Sequence, residues 1–138
     1  MEECISVFDM LKIGVGPSSS HTLGPWRAGE RFLEELRSEN IIQSISRIKT
    51  DLYGSLSLTG KGHATDLAVM LGLSGQDPEY IPVENIDGII KSIEDKAQIN
   101  LGNEFMIPFD ISKDILFNKE FLPFHSNGMT LTAYPCLL

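Results

Sequence analysis

Three stretches of the sequence set a histidine among glycines and small polar residues: Ser18-Ser19-Ser20-His21-Thr22, Gly60-Lys61-Gly62-His63-Ala64-Thr65-Asp66 and His125-Ser126-Asn127-Gly128. They hold all three histidines of the chain. Imidazole titrates close to neutral pH, so it takes up and releases protons at physiological pH without further tuning. Hydroxyls and the backbone N–H groups beside glycine bind oxyanions. Proton transfer next to a bound carboxylate or phosphate is the chemistry these residues offer together. A lone histidine is more often a solvated or core residue, but three in the same kind of setting weigh against that account.

The first stretch is the richest. Between Ile13 and Trp26 there is no acidic residue, in a chain carrying nineteen of them, and Lys12 and Arg27 flank the segment. Gly14-Val15-Gly16-Pro17 runs into three serines, His21 and Thr22. This composition predicts a loop leading to a helix that starts near Leu23, with Pro25 in its first turn and Ser20 or Thr22 as cap. Free N–H groups and the helix dipole favour an anion at such a start. A serine-rich cap is the plainer account, yet a cap needs one hydroxyl and this segment has four. Nucleophile and nucleotide readings fit worse. Gly-x-Ser-x-Gly is absent, a triad of His21 or His63 with Asp66 or Asp9 rests on no pattern, and no phosphate-loop spacing is complete.

In the second stretch, Lys61 offers a compact positive charge for a carboxylate just before a helix expected from His63 to Gly72. The third reads equally well as a turn, because Asn127-Gly128 suits a tight hairpin.

The elements that must carry these residues follow from periodicity. Trp26, Gly29, Phe32, Leu33 and Leu36 recur at helical spacing, opposite Glu30, Arg31, Glu34, Glu35 and Arg37. Ile48, Leu52, Leu56 and Leu58 take one parity of a strand. Ala64, Leu67, Ala68, Val69 and Leu71 make a helix too apolar for the surface, and Gly72 to Pro82 is a loop. Ile86, Ile89, Ile90, Ile93 and Ala97 mark another amphipathic helix. Phe105, Ile107 and Phe109 alternate around Pro108, which favours an edge strand. Ile115-Leu116-Phe117 and Met129 to Ala133 read as strands, while Ser6 to Leu11 fits a short helix or strand. Helices and strands mix without a regular beat, so the expected fold is α+β, a two-layer sandwich of a mixed sheet with helices.

Composition bounds the rest. The 138 residues, 42% hydrophobic, suit one domain spanning residues 1–138. Eleven basic against nineteen acidic residues give a net charge of −8, which argues against nucleic acid as a partner. No apolar run reaches the roughly 20 residues of a membrane helix. Met1-Glu2-Glu3 does not open a signal peptide, so a cytoplasmic location is expected. Cys4 and Cys136 stand near opposite ends without metal-site spacing.

The segments Ser6 to Met10, Gly14 to Pro25, Asp51 to Asp66 and His125 to Met129 together resemble the β domain of bacterial iron–sulfur L-serine dehydratases (L-serine ammonia-lyases). They occur in the family's order and span nearly the whole chain. The resemblance implies a fold similar to the ligand-binding extension of some 3-phosphoglycerate dehydrogenases. It implies elimination of water from L-serine to give pyruvate and ammonia, with a 4Fe-4S cluster acting as Lewis acid on the leaving hydroxyl. On this pattern His21 and His63 are the catalytic candidates. Ser18, Ser19, Ser20, Thr22, Lys61, His125 and Asn127 are the substrate-binding ones. The family's cluster cysteines lie in a separate α domain, so this chain is expected to bind no metal or cluster and to need that domain, on the same polypeptide or a partner chain. A homo-oligomer is also implied. Ser126 departs from the family, where many members carry proline. A second function class stays open on the residues alone: a regulatory module that binds serine or a small anion without catalysing anything.

Overall fold

A computed structural model describes residues 3–6, 17–54, 65–118 and 128–135. In chain order these form β1 (Glu3–Ser6), α1 (Pro17–Ser38), a 3-10 turn (Ile42–Ser44), β2 (Ile45–Leu52), α2 (Thr65–Leu73) and α3 (Val83–Lys96). Then come β3 (Gln98–Leu101), β4 (Phe105–Pro108), α4 (Ile111–Asp114), β5 (Ile115–Phe117) and β6 (Met129–Pro135). The main sheet has the order β1-β6-β2-β5, and β3 with β4 forms a separate two-stranded sheet. β6 runs antiparallel to both its neighbours, and β2 and β5 are parallel. The fold is the expected α+β arrangement of helices on a mixed sheet.

The helices and the sheet share one core. Phe32, Leu33 and Leu36 of α1, Val69 to Leu71 and Leu73 of α2, Ile48 and Leu52 of β2, and Leu131 and Ala133 of β6 are all buried in it. The apolar face of α1 is the one its spacing predicts. α2 is buried nearly throughout, as an all-round apolar helix must be. In β2 the buried positions are Ile45, Ile48, Thr50 and Leu52. The spacing of three between Ile45 and Ile48 is absorbed by a register shift between Ile45 and Arg47, after which strict alternation resumes. Leu56 and Leu58, expected to continue this parity, lie outside the described residues; β2 itself stops at Leu52.

The start of α1 corrects the sequence reading. The helix begins at Pro17, not near Leu23, so Ser18 to Thr22 form its opening turns and not a loop before it. Pro17 explains the difference: a proline at the first helical position gives up no hydrogen bond and arrives with a helical φ. Neither Ser20 nor Thr22 is then a residue outside the helix that caps it. Pro25 falls inside the helix, where it removes a backbone bond at a cost of about 3 kcal/mol. Burial of the packed face begins there, with Pro25, Trp26, Ala28 and Gly29 all buried. Tertiary packing offsets the local penalty.

A second difference is β3. The periodicity carries α3 through Ala97, but Ala97 adopts a left-handed conformation (φ 51°) that ends the helix. Gln98–Leu101 then pairs antiparallel with β4. Gly102 and Asn103, both at φ 61°, form the tight turn between them. Pro108 does lie at a strand end, opposite Gln98.

Two contacts fix the helices and α4 on the sheet. Arg47 of β2 donates to Asp114 of α4 at 2.7 Å, and this bond holds the guanidinium above its ordinary pKa. The second Asp114 oxygen accepts the Asp110 N–H at 2.8 Å, so the buried carboxylate is satisfied on both sides. The other contact is between backbones. α1 and α2 cross where Gly29 meets Gly72; a Cβ added at Gly29 would lie 3.1 Å from the Gly72 carbonyl carbon, and one at Gly72 would run into the Trp26 carbonyl oxygen. Gly72→Ala is therefore expected to destabilise the chain by about 3 kcal/mol, the upper range for overpacking. Gly88→Ala, where an added Cβ meets nothing within 4 Å, is expected to be neutral or to stabilise by up to ~1 kcal/mol. Urea unfolding of the two variants reads both values, and equal midpoints would contradict the close crossing.

Candidate active site

The strand register decides where the three histidine-bearing stretches enter and leave the fold. Ser6, the last residue of β1, pairs with Thr130 near the start of β6. Leu52, the last residue of β2, pairs with Met129 on one side and Phe117 on the other. The carboxyl ends of β1, β2 and β5 and the amino end of β6 are therefore one end of the sheet. Beyond Leu52 the Tyr53 N–H donates to the Gly128 carbonyl at 2.8 Å, and Gly54 turns the chain away at φ 61°. Asn118 closes the other side. Its N–H donates to the Leu52 carbonyl at 2.9 Å, and its side-chain amide donates to Asp51 at 3.1 Å.

Each stretch joins an element at this end. β1 and β2 point the same way, so α1 between them has to run back along the sheet. Its last turn lies close in sequence to the start of β2, with the Ile41 N–H donating to the Leu36 carbonyl at 3.1 Å. Twenty-two residues of helix span about 33 Å, which carries Pro17 back toward the end where β1 leaves. Ser18, Ser19, Ser20, His21 and Thr22 are thereby the opening turns of a helix starting at the carboxyl ends of the strands. No acidic residue stands in its first turn. α2 starts at Thr65, fully buried, and Asp66 beside it lines a groove of about 730 Å³ together with Phe117, Ile93, Phe109 and Asp110. Gly128 leads directly into β6. Loops at strand ends on a rigid scaffold are where binding and catalytic groups are usually carried.

Lys61, His63, His125 and Asn127 lie outside the described residues, as does Lys12. Arg27, read from the sequence as a flanking charge for the anion segment, is committed elsewhere. It bonds Glu30 at 2.9 Å, stands 3.4 Å from Glu79 and 3.9 Å from Asp77, and so ties α1 to the loop after α2. Burial pushes the Glu30 carboxyl above its ordinary pKa, against the hydrogen bond and charge of Arg27. The Trp26 indole N–H donates to the Gln76 carbonyl at 2.8 Å, a second tie to the same loop. Sequence reasoning missed Asn118 as the residue that secures the sheet end; its one signal is an amide-bearing residue directly after the apolar run Ile115 to Phe117. Among the described residues no three His, Cys, Asp or Glu are grouped to hold a metal ion. No described helix is long and apolar enough to cross a membrane.

Residues 6–136 match the model of the serine dehydratase beta chain family. The chain belongs to that family. It is 45% identical over 131 residues to an L-serine dehydratase of Haemophilus influenzae, 46% over 131 residues to one of Streptomyces coelicolor, and 43% over 131 residues to L-serine dehydratase 1 of Escherichia coli. Each match covers 94% of this chain but only 29% of the relative. As a serine dehydratase beta chain, it spans less than a third of the length of these relatives.

The bonds at the sheet end carry their own expectation. Asn118→Ala removes the amide that bridges Asp51 and the Leu52 carbonyl, and should cost about 1 kcal/mol. Hydrogen exchange of the Tyr53 amide should quicken in parallel, since the same strand ends are held by both bonds. An unchanged midpoint and unchanged exchange would mean that Asn118 does not secure this end.

Proposed function

We propose that this beta chain supplies the substrate-carboxylate and acid–base groups of an L-serine dehydratase, in a site shared with the iron–sulfur α domain of the same enzyme. The observation that carries the reading is topological. The stretches with His21, His63 and His125 each adjoin an element at one end of the sheet, in a chain whose relatives are named L-serine dehydratase.

The division of work follows from the chemistry of each group. Ser19 and Ser20, with Ser18 and Thr22, hold the carboxylate of L-serine at the start of α1, where the helix dipole favours an anion. Lys61 adds a positive charge to the same carboxylate. A carboxylate held by donors makes the α proton easier to remove, because charge developing at the α carbon spreads toward it. His21 is the candidate base for that proton, and His63 the candidate to assist as acid or second base. His125 and Asn127 line the same cleft. The 4Fe-4S cluster, carried by the α domain, supplies Lewis-acid activation of the leaving hydroxyl. Loss of the α proton and that hydroxyl leaves an enamine, which tautomerises and hydrolyses to pyruvate and ammonia. A homo-oligomer in the cytoplasm completes the proposal.

Two experiments test it. In the complete enzyme, His21→Ala should lower kcat for L-serine by at least about 100-fold, the low end for a general base, with KM little changed. Turnover retained in that variant, with only its response to added serine or small anions altered, would point instead to a regulatory binding module. The 138-residue chain alone should stay colourless and make no pyruvate after anaerobic treatment with iron and sulfide, because the cluster ligands lie in the α domain. A brown, active product would overturn the shared site.

A further inference from the structure

β5 is the outermost strand of the main sheet on its side, paired with β2 and with no described strand beyond it. The Asn118 N–H donates to the Leu52 carbonyl, and in a parallel pair only alternate residues turn their backbone groups toward the neighbour. Leu116 and Asn118 therefore face β2, while Ile115 and Phe117 turn theirs to the open side. The Ile115 N–H donates to the Ile111 carbonyl. The Phe117 N–H and the carbonyls of Ile115 and Phe117 are left without a partner among the described residues. The groove of about 730 Å³ runs along this edge. It touches Ile115, Leu116 and Phe117 in succession. Successive side chains of a strand point to opposite faces, so the groove follows the margin of the sheet and not one face. Ile93 and Phe109, both buried, give it an apolar wall. Asp66, Glu94 and Asp110 stand in the same lining, and among the described residues none of the three is in an ion pair. Hydrogen bonds from Ser112 hold the Asp110 carboxyl below its ordinary pKa. An edge guarded against stray pairing carries charge or proline on the strand itself. Here the strand is Ile-Leu-Phe, and the charges lie on α2, α3 and the start of α4.

We propose that this edge takes an extended segment of the α domain as a fifth strand, with apolar side chains in the groove and a lysine held by Asp66, Glu94 and Asp110. The proposal rests on the two-domain enzyme given under Proposed function. Charge selects the occupant first. Three carboxylates around an apolar groove complement a segment that is apolar and basic, whereas a second copy of this chain would set the same three carboxylates against the first three, with −8 already on each copy. Length agrees: the match covers only 29% of each relative, so most of the relative's polypeptide lies outside it and can supply the segment. Position agrees as well. The groove reaches Phe117, the last residue of β5, at the end of the sheet where the histidine-bearing stretches adjoin. A segment seated there docks the α domain beside the proposed site without filling it. Strand addition of this kind draws affinity from backbone bonds and specificity from the pockets beside them. With three free backbone groups on the edge, the groove and its carboxylates carry much of the recognition.

Treating the complete enzyme with a carbodiimide, which joins a carboxylate to a lysine in contact with it, reads the occupant directly. Peptide mapping should find Glu94 or Asp110 joined to a lysine of the α domain. Crosslinks confined to lysines of these 138 residues, within one copy or between two, would overturn the proposal. Hydrogen exchange reads the edge itself. In the complete enzyme the Phe117 amide should exchange within about tenfold of the Leu116 amide, which β2 protects in any case. Glu94→Lys should quicken the Phe117 amide by about tenfold and leave Leu116 unchanged, while Glu94→Asp should keep both slow. A Phe117 amide that exchanges freely in the wild-type enzyme means an open edge and no added strand. A slow Phe117 amide that Glu94→Lys leaves untouched would remove the charge recognition and, with it, the basic occupant. Turnover separates this proposal from the shared site. If the edge is open and His21→Ala still abolishes turnover, the docking fails and the shared site stands. If the α-domain crosslink forms in an enzyme whose turnover survives His21→Ala, the docking stands and the catalytic assignment fails.

Discussion

The crossing of α1 over α2 is the constraint on which the rest of the domain depends. Gly29 and Gly72 let the two backbones approach until no side chain fits between them. At that separation Trp26 reaches the Gln76 carbonyl and Arg27 reaches Glu79, so the loop after α2 is fixed by the same contact. The chain continues from that loop into α3, whose Ile90 and Ile93 complete the core. A larger residue at either glycine would separate the helices, and the void would run through Phe32, Leu33 and Val69, all of them buried. Dispersion between close-packed backbones is small per atom pair, but a separated crossing loses it along the whole contact.

The sheet answers a different demand. With β6 between β1 and β2, three strands end on one side and the fourth begins there, and the β2–β6 and β2–β5 junctions are each closed by a backbone bond. Such an end collects loops from segments far apart in sequence without asking any of them to be long. Arg47 and Asp114 hold the far side of β2 against α4, and Arg47 also lies over the Tyr134 ring at 5.4 Å. The pair is half-exposed on the arginine side and buried on the aspartate side. Its contribution therefore lies mostly in keeping a buried carboxylate satisfied.

Legibility in the sequence followed physical scale. Elements whose signal is repeated over many residues read correctly: the inner face of α1, the buried α2, the amphipathic α3 and the alternation of β6. Boundaries that hang on one residue did not. Pro17 and Pro25 are equally good first residues by type, and only the packed fold selects Pro17. Ala97 is a strong helix former, and its left-handed conformation is imposed by the hairpin that follows. The turn at Gly102-Asn103 is legible by residue type, but Gln98 to Leu101 carries only two apolar residues and gives no strand signal of its own. Thr50 was hidden for a further reason. Its hydroxyl is buried on the core face of β2 without a hydrogen-bond partner among the described residues, which no pattern of residue types announces. At the site, composition alone separated the segment around His21 from ordinary loops, since the absence of acids there is a statement about charge and needs no geometry. That Arg27 is spent on carboxylates across the crossing required the fold.

That last point bears on how, in the proposed site, an acidic chain would hold the carboxylate of zwitterionic L-serine. At −8 the chain as a whole repels a carboxylate. α1 begins at the site end of the sheet, α2 follows the segment that leaves β2 there, and a helix start carries roughly half a positive charge. The two starts are not equivalent. α2 has Asp66 in its first turn, which takes up its dipole internally, whereas the first turn of α1 holds no acid. Arg27 is likewise balanced by Glu30, Asp77 and Glu79 and adds little net charge. In the proposed site, therefore, the attraction for the substrate carboxylate comes from oriented N–H groups and hydroxyls of α1, with Lys61 as the added cation. Oriented dipoles act at hydrogen-bond range and fade within a turn. Such a site selects a carboxylate that is already seated and contributes little to drawing one in from solution.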